Sequence, residues 1–194
     1  MTTTDLPPVP DSWLAVATLT SQVERLIRTG DTRKLKEVRE LLKAAVDHKQ
    51  ALGRKERWMN DPAAWVRERL GQEVWSKQKE ILESVRDNRR TAVRSGHGVG
   101  KSHTAALTAC WWIDSHEPGT AFVISTAPTS AQIRAILWRY INRMHKAGKL
   151  PGRTNQTEWW LDDAMVGFGR RPADRDESGL QGLHERYVLV LYDE

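Results

Sequence analysis

The sequence predicts an α/β fold, a mostly parallel sheet flanked by helices, with a helical hairpin ahead of it. Three observations predict this. Short apolar runs alternate with stretches whose apolar residues recur at helical spacing, the alternation expected of strand–helix–strand units. An apolar "TAV" leads directly into "RSGHGVGKSHTAA" at 94–106, a glycine-rich turn that opens an alanine-rich helix. The run "RYVLVLYDE" at 186–194 is continuously apolar and ends in two carboxylates, the pattern of a strand buried on both faces.

Taken in order, the first ten residues carry three prolines and read as a loose arm. Val16, Leu19, Val23, Leu26 and Ile27 then recur at helical spacing, as do Leu35, Val38, Leu41, Leu42, Ala45 and Val46. Gly30 can end the first set, and Asp31 or Thr32 can cap the second, so 12–50 reads as a helical hairpin. "QALGRKERW" reads as a linker, which places a domain boundary between 1–57 and 58–194. "NDPAAWVRERLG" is a short helix with Asn60 or Asp61 as cap, Pro62 in the first turn and Gly71 closing it. A helix follows over 75–87, then "RTAVRS" as a buried strand, a helix from Lys101 to about Ser115, and "TAFVISTAP" as a second strand. Residues 129–147 carry Ile133, Ile136, Leu137, Tyr140, Ile141 and Met144 in one stripe. The segment 151–185 reads as irregular or as short hairpins.

The composition is that of a soluble globular chain: 194 residues, 39% hydrophobic and 28% charged. No apolar run approaches the roughly 20 residues of a membrane span, so no membrane partner is expected. A lone Cys110 excludes an internal disulfide and a Cys-based zinc cluster, and a reducing compartment, the cytoplasm, is expected. The net charge of +5 is uneven. From Pro118 to Thr157 there is no Asp or Glu, while Arg134, Arg139, Arg143, Lys146, Lys149 and Arg153 accumulate. Such a block can track nucleic-acid phosphates, but taken alone it reads first as a solvated helix face with cations near its C-terminal end. His97, His103 and His184 follow no metal-ligand spacing. Trp111-Trp112 and Trp159-Trp160 read mainly as core or interface material.

The glycine-rich turn carries the chemistry. A polyphosphate needs several backbone N–H groups turned inward, which only a tight turn supplies, and glycines permit the positive φ angles involved. Gly96, Gly98 and Gly100 supply the turn, within a loop completed by Ser95, His97 and Val99. Lys101 supplies the charge, and Ser102 a hydroxyl for Mg²⁺. Ser95 stands where the usual G-x-x-x-x-G-K-[ST] pattern has its first glycine. A P-loop NTPase-type site also needs a carboxylate at the tip of a neighbouring strand, to hold the metal, and a second acid to orient or deprotonate the attacking water. Asp193 and Glu194 stand in order for those roles.

With these stretches together, the chain from about Trp58 to Glu194 resembles the ATPase half of a tailed-phage terminase large subunit. "SGHGVGKS" is similar to that family's deviant phosphate loop, "AFVISTAPTSAQIRAILW" to the strand and helix after it, and "DESGLQGLHERYVLVLYDE" to the approach to its second acidic motif. The resemblance implies ATP and Mg²⁺ as cofactors. Lys101 and Ser102 would bind phosphates and metal, Asp193 the metal, and Glu194 the attacking water. It implies an adenine-reading role for Gln78 in "WSKQ", although a surface glutamine is the competing view. Ser125 and Thr126 either join the nucleotide network or cap the next helix. Arg170, Arg171, Arg175 and Arg186 are the candidates for an arginine acting across a subunit boundary. The implied partners are double-stranded DNA, a terminase small subunit and a portal, the implied assembly is a homo-oligomeric ring, and the implied location is the bacterial host cytoplasm. The family's C-terminal nuclease domain has no counterpart in these residues, so 58–194 is expected to be a partial ATPase domain. A helicase-like translocase, or a remnant that binds ATP or DNA without turnover, are the alternative readings.

Overall fold

A computed structural model describes residues 13–30, 32–171 and 185–193. The chain divides into two compact units, residues 1–54 and 55–194. In the first, helix α1 (Trp13–Thr29) is followed by α2 (Thr32–Asn60), with Gly30 between them at φ 72°. The Gly30 N–H donates to the Leu26 carbonyl and ends α1 (3.1 Å). Asp31, one of the two expected caps of α2, and the proline-rich arm lie outside the described residues. The stretch expected as a linker, 50–58, is helical and forms the last turns of α2. Its Gln, Leu, Arg, Lys and Glu are good helix formers, and a single Gly53 does not outweigh them.

In the second unit, α3 (Pro62–Trp65) is capped by Asp61, which accepts from the Ala64 N–H. It continues as a π-helical turn over Val66–Leu70 that Gly71 closes at φ 63°. Helices α4 (Ser76–Asp87) and α5 (Lys101–Ser115) flank the glycine loop. Strand β1 (Ala121–Thr126) follows, and then a three-part arm. That arm comprises α6 (Ser130–Gln132), a second π-helical turn over Ile133–Leu137, and α7 (Trp138–Gly148). Thr129 caps α6, taking the role considered for Ser125 and Thr126. The remaining strands are β2 (Arg153–Asn155), β3 (Glu158–Leu161), β4 (Ala164–Gly169) and β5 (Tyr187–Tyr192).

The five strands form one sheet in the order β2-β3-β4-β1-β5. Strands β4, β1 and β5 run parallel, while β2, β3 and β4 form an antiparallel meander with an irregularity between Trp159 and Trp160. The sheet is therefore mixed rather than mostly parallel. The short hairpins of 151–169 join it as strands, because their two-residue connections permit only antiparallel neighbours.

The segment "RTAVRS", expected as a buried strand, is extended chain outside the sheet, and Val93 is exposed. A strand needs a neighbour to satisfy its backbone N–H and C=O groups, and none of the described strands lies beside this one.

Helix α5 packs against β1, β5 and α7 and forms the centre of the core. Trp65, Leu82, Leu107, Trp111, Leu137, Trp138, Ile141 and Trp159 are all essentially buried there. The indoles sit where their N–H groups find acceptors: Trp65 on Asp114 (2.8 Å), Trp111 on the Trp58 carbonyl (2.7 Å), Trp138 on Ser125 (2.8 Å). Gly169 is required by this packing, since a Cβ there would lie 2.2 Å from the Trp138 indole nitrogen. Phe122, Ile124 and Phe168 form a smaller cluster on the other sheet face. No helix of the described residues is long and apolar enough to cross a membrane.

Candidate functional site

The glycine loop turns on two left-handed residues, Gly98 at φ 77° and Gly100 at φ 90°. Gly100 is the residue before α5, so the free N–H groups of that helix's first turn face the loop. Thr104 ties the junction down: its backbone N–H (2.8 Å) and its hydroxyl (3.0 Å) both donate to the Gly100 carbonyl. Ser95, Gly96, His97, Gly98 and Val99 are exposed, whereas Lys101 and Ser102 are half-buried. The Lys101 ammonium folds back on the loop and donates to the carbonyls of Ser95 (3.1 Å) and Gly96 (2.8 Å).

The parallel pairing of β1 and β5 delivers Asp193 to this loop. The Asp193 N–H donates to the Thr126 carbonyl (3.0 Å), extending the ladder one residue past β5. Its carboxylate then accepts from the Ser102 hydroxyl at 3.2 Å, a contact between residues 91 positions apart. A hydroxyl and a carboxylate oxygen side by side are hard oxygen donors of the kind Mg²⁺ takes, with water or phosphate filling the remaining positions. Among the described residues there is no cluster of three or more His, Cys, Asp or Glu side chains that could hold a metal. Glu194 lies outside the described residues.

A cleft of about 450 Å³ opens beside the loop, lined by Trp75, Gln78, Ile81, Val93, Val99 and Lys101 among others. The Gln78 amide is held on both sides: its Nε2 donates to the Thr104 hydroxyl (3.3 Å) and its Oε1 accepts from the Trp75 N–H (3.3 Å). One Nε2 hydrogen and one Oε1 lone pair remain for a ligand. Trp75 is about half exposed on the cleft wall. Neither Trp75 nor Thr104 was singled out by sequence. The visible signal for them was spacing alone, three residues before Gln78 and four after Gly100.

The other candidates separate by position. Ser125 is fully buried and accepts the Trp138 indole, while Thr126 alternates to the opposite face, in register with Tyr192. The Thr126 hydroxyl is buried with no partner among the described residues. Ser125 is thus a packing residue, and Thr126 faces away from Asp193. Arg170 follows β4 at the same sheet edge as Asp193, its guanidinium over the Phe168 ring, and its N–H donates to the Ser125 carbonyl. Arg186 precedes β5 at the opposite edge, about 20 Å of strand away. Arg171 is exposed just beyond Arg170, and Arg175, His184 and the Gly182-Leu183 pair lie outside the described residues.

Among the histidines of the site, His103 in the first turn of α5 has its pKa lowered by burial, and its ring meets Tyr140 edge-on at 5.6 Å. Burial pushes the Cys110 thiol far up, which makes it an inert core group.

These features define an α/β chain with a glycine loop, a helix N-terminus and a strand-tip carboxylate converging at one sheet edge. No family model, curated protein or solved structure matches the chain.

Proposed function

We propose that this chain binds Mg·ATP at the loop of residues 95–102 and forms the ATPase portion of a DNA-packaging motor of the terminase large-subunit kind. The observation that carries the nucleotide reading is the Ser102–Asp193 contact, because nothing in a merely flexible glycine turn requires a carboxylate from the end of a distant strand. In this reading Lys101 exchanges the Ser95 and Gly96 carbonyls for phosphate oxygens, and the loop and α5 N–H groups take the rest of the polyphosphate. Mg²⁺ bound to Ser102 and Asp193 would neutralise phosphate charge, and Glu194 would orient the attacking water. Gln78 and Trp75 would take the base in the adjoining cleft. The motor assignment itself rests on the resemblance of "SGHGVGKS", "STAPTS" and "VLVLYDE" to the terminase pattern.

The test is steady-state phosphate release from Mg·ATP, with Lys101→Ala and Glu194→Gln as controls. Turnover that both changes abolish supports the reading. Nucleotide binding that is indifferent to Lys101→Ala would overturn it. Nucleotide binding that needs Lys101, with no turnover, would leave a nucleotide-binding chain that does not hydrolyse ATP.

A further inference from the structure

The acid-free stretch 118–157 acquires a definite shape in the fold. The arm from Ser130 to Gly148 buries Ile133, Leu137, Trp138, Ile141 and Met144 in the core. Arg134, Arg139, Arg143 and Lys146 are left exposed on its outer side. At 3.6 residues per turn, positions 139, 143 and 146 fall within an arc of about 60° on α7.

None of these four cations makes an ion pair among the described residues. Basic residues elsewhere do: Lys77 with Glu80, Lys79 with Glu83, Arg57 with Glu68, and Arg69 with Asp114. Like charges at i,i+3 and i,i+4 repel, and a bound polyanion would relieve that repulsion. The helix dipole accounts for Lys146 in the last turn of α7, but its influence is confined to that turn and does not reach Arg139 or Arg143.

We propose that this face of α7 is a binding surface for the phosphate backbone of nucleic acid. Arg139 is held by stacking over the Tyr140 ring (5.8 Å), and that ring abuts His103 beside Ser102, so the surface adjoins the glycine loop. A membrane surface fits less well. Interfacial helices present bulky apolar residues next to their cations, and here that side of the helix is inside the core, leaving Ile136 as the large apolar group exposed on the arm. The proposal deepens the motor reading by assigning where the polymer is held, and it rests on that reading for the choice of a polynucleotide over smaller polyanions.

The experiment uses the full chain and a short fluorescein-labelled DNA duplex, with binding followed by anisotropy over a series of salt concentrations. Removing Arg139, Arg143 and Lys146 together, each to Gln, should flatten the slope of log K against log salt by about 2–3, close to 0.9 for each phosphate no longer neutralised. Arg143→Glu alone should flatten it by about 1 or more, which covers the case in which the triple variant folds poorly. A control that removes the same charge from α2 (Arg33→Gln, Lys36→Gln, Arg39→Gln) should leave the slope as it was. An unchanged slope in the α7 variants, an equal loss in the α2 control, or binding to phosphatidylserine–phosphatidylcholine vesicles without binding to duplex would each overturn the proposal. A fluorescent ATP analogue titrated into the same proteins separates the two readings. Nucleotide binding that fails while the α7 slope effect appears removes the nucleotide site and leaves the surface standing, and the converse removes only the surface.

Discussion

The hydroxyl of Ser102 donates to the carboxylate of Asp193 across 3.2 Å, joining the first turn of α5 to the tip of β5. The contact exists because α5 packs against β5 while β1 holds β5 in register up to Asp193. Ser102→Ala and Asp193→Asn should each weaken the Mg²⁺-dependent part of nucleotide affinity by about tenfold, or about 1.4 kcal/mol. Groups that act on one metal are non-additive, so the double variant should be little worse than the poorer single. Calorimetric titration of a non-hydrolysable ATP analogue, with and without Mg²⁺, reads the cycle. Strict additivity would separate the two residues functionally.

Gln78 has one donor hydrogen and one acceptor lone pair left after Thr104 and Trp75 take the others. Adenine offers a matching N6–H donor and N7 acceptor, whereas guanine offers two acceptors, O6 and N7. Gln78→Ala should therefore reduce a preference for ATP over GTP by roughly tenfold, the loss of one or two hydrogen bonds of about 1 kcal/mol each. Thr104→Val should do the same to a smaller extent by freeing the amide to turn over. Competition titrations of the two nucleotides measure it.

The loop glycines should not be equivalent. Gly100 has room for a Cβ, with the Gln78 amide at 3.7 Å, but its φ of 90° is strained for any L-residue. Gly100→Ala, like Gly98→Ala, should cost about 1–2 kcal/mol in thermal or urea unfolding. Gly96 has neither a positive φ nor a neighbour within 4 Å, so Gly96→Ala should leave stability unchanged.

Acid should destabilise the fold through the buried imidazole of His116 and the half-buried ones of His103 and His145. Burial lowers the pKa of His103, His116 and His145. At His116 the Nδ1–H donates to the Trp112 carbonyl (2.6 Å), the ring packs at a tilt against Tyr187, and the nearby Lys55 ammonium adds to the lowering that burial causes. The folded chain therefore binds fewer protons than the unfolded chain. The stability these groups contribute is present above the ordinary histidine value of about 6.5 and is lost as pH falls from there toward the lowered folded values. Melting midpoints should fall between pH 7.5 and 5.5 and fall less in His116→Gln. A midpoint that is flat over that range would contradict the assignment.

Much of the helical structure was legible from local sequence. The stripe through Ile133, Leu137, Ile141 and Met144, the cap and proline at Asp61-Pro62 and the glycine before Lys101 are signals read from a few neighbouring residues, and the helices appear where those signals stand. The 50–58 stretch misled because one glycine and a cluster of charges look alike in a linker and in an exposed helix. "RTAVRS" misled because apolar composition marks a segment that can be a strand, while being one requires a partner for its backbone.

By itself, the sequence determined which residue types stand together: three glycines, a lysine and a serine at one helix start, and a carboxylate after an apolar run. Tertiary structure alone decided that Ser102 meets Asp193, that Ser125 serves the Trp138 indole rather than a ligand, and that Arg170 shares an edge with Asp193 while Arg186 does not. The reason is one of range. Capping, periodicity and φ preferences act over a few residues, whereas these relationships depend on strand order and register, which the packing of the whole sheet sets.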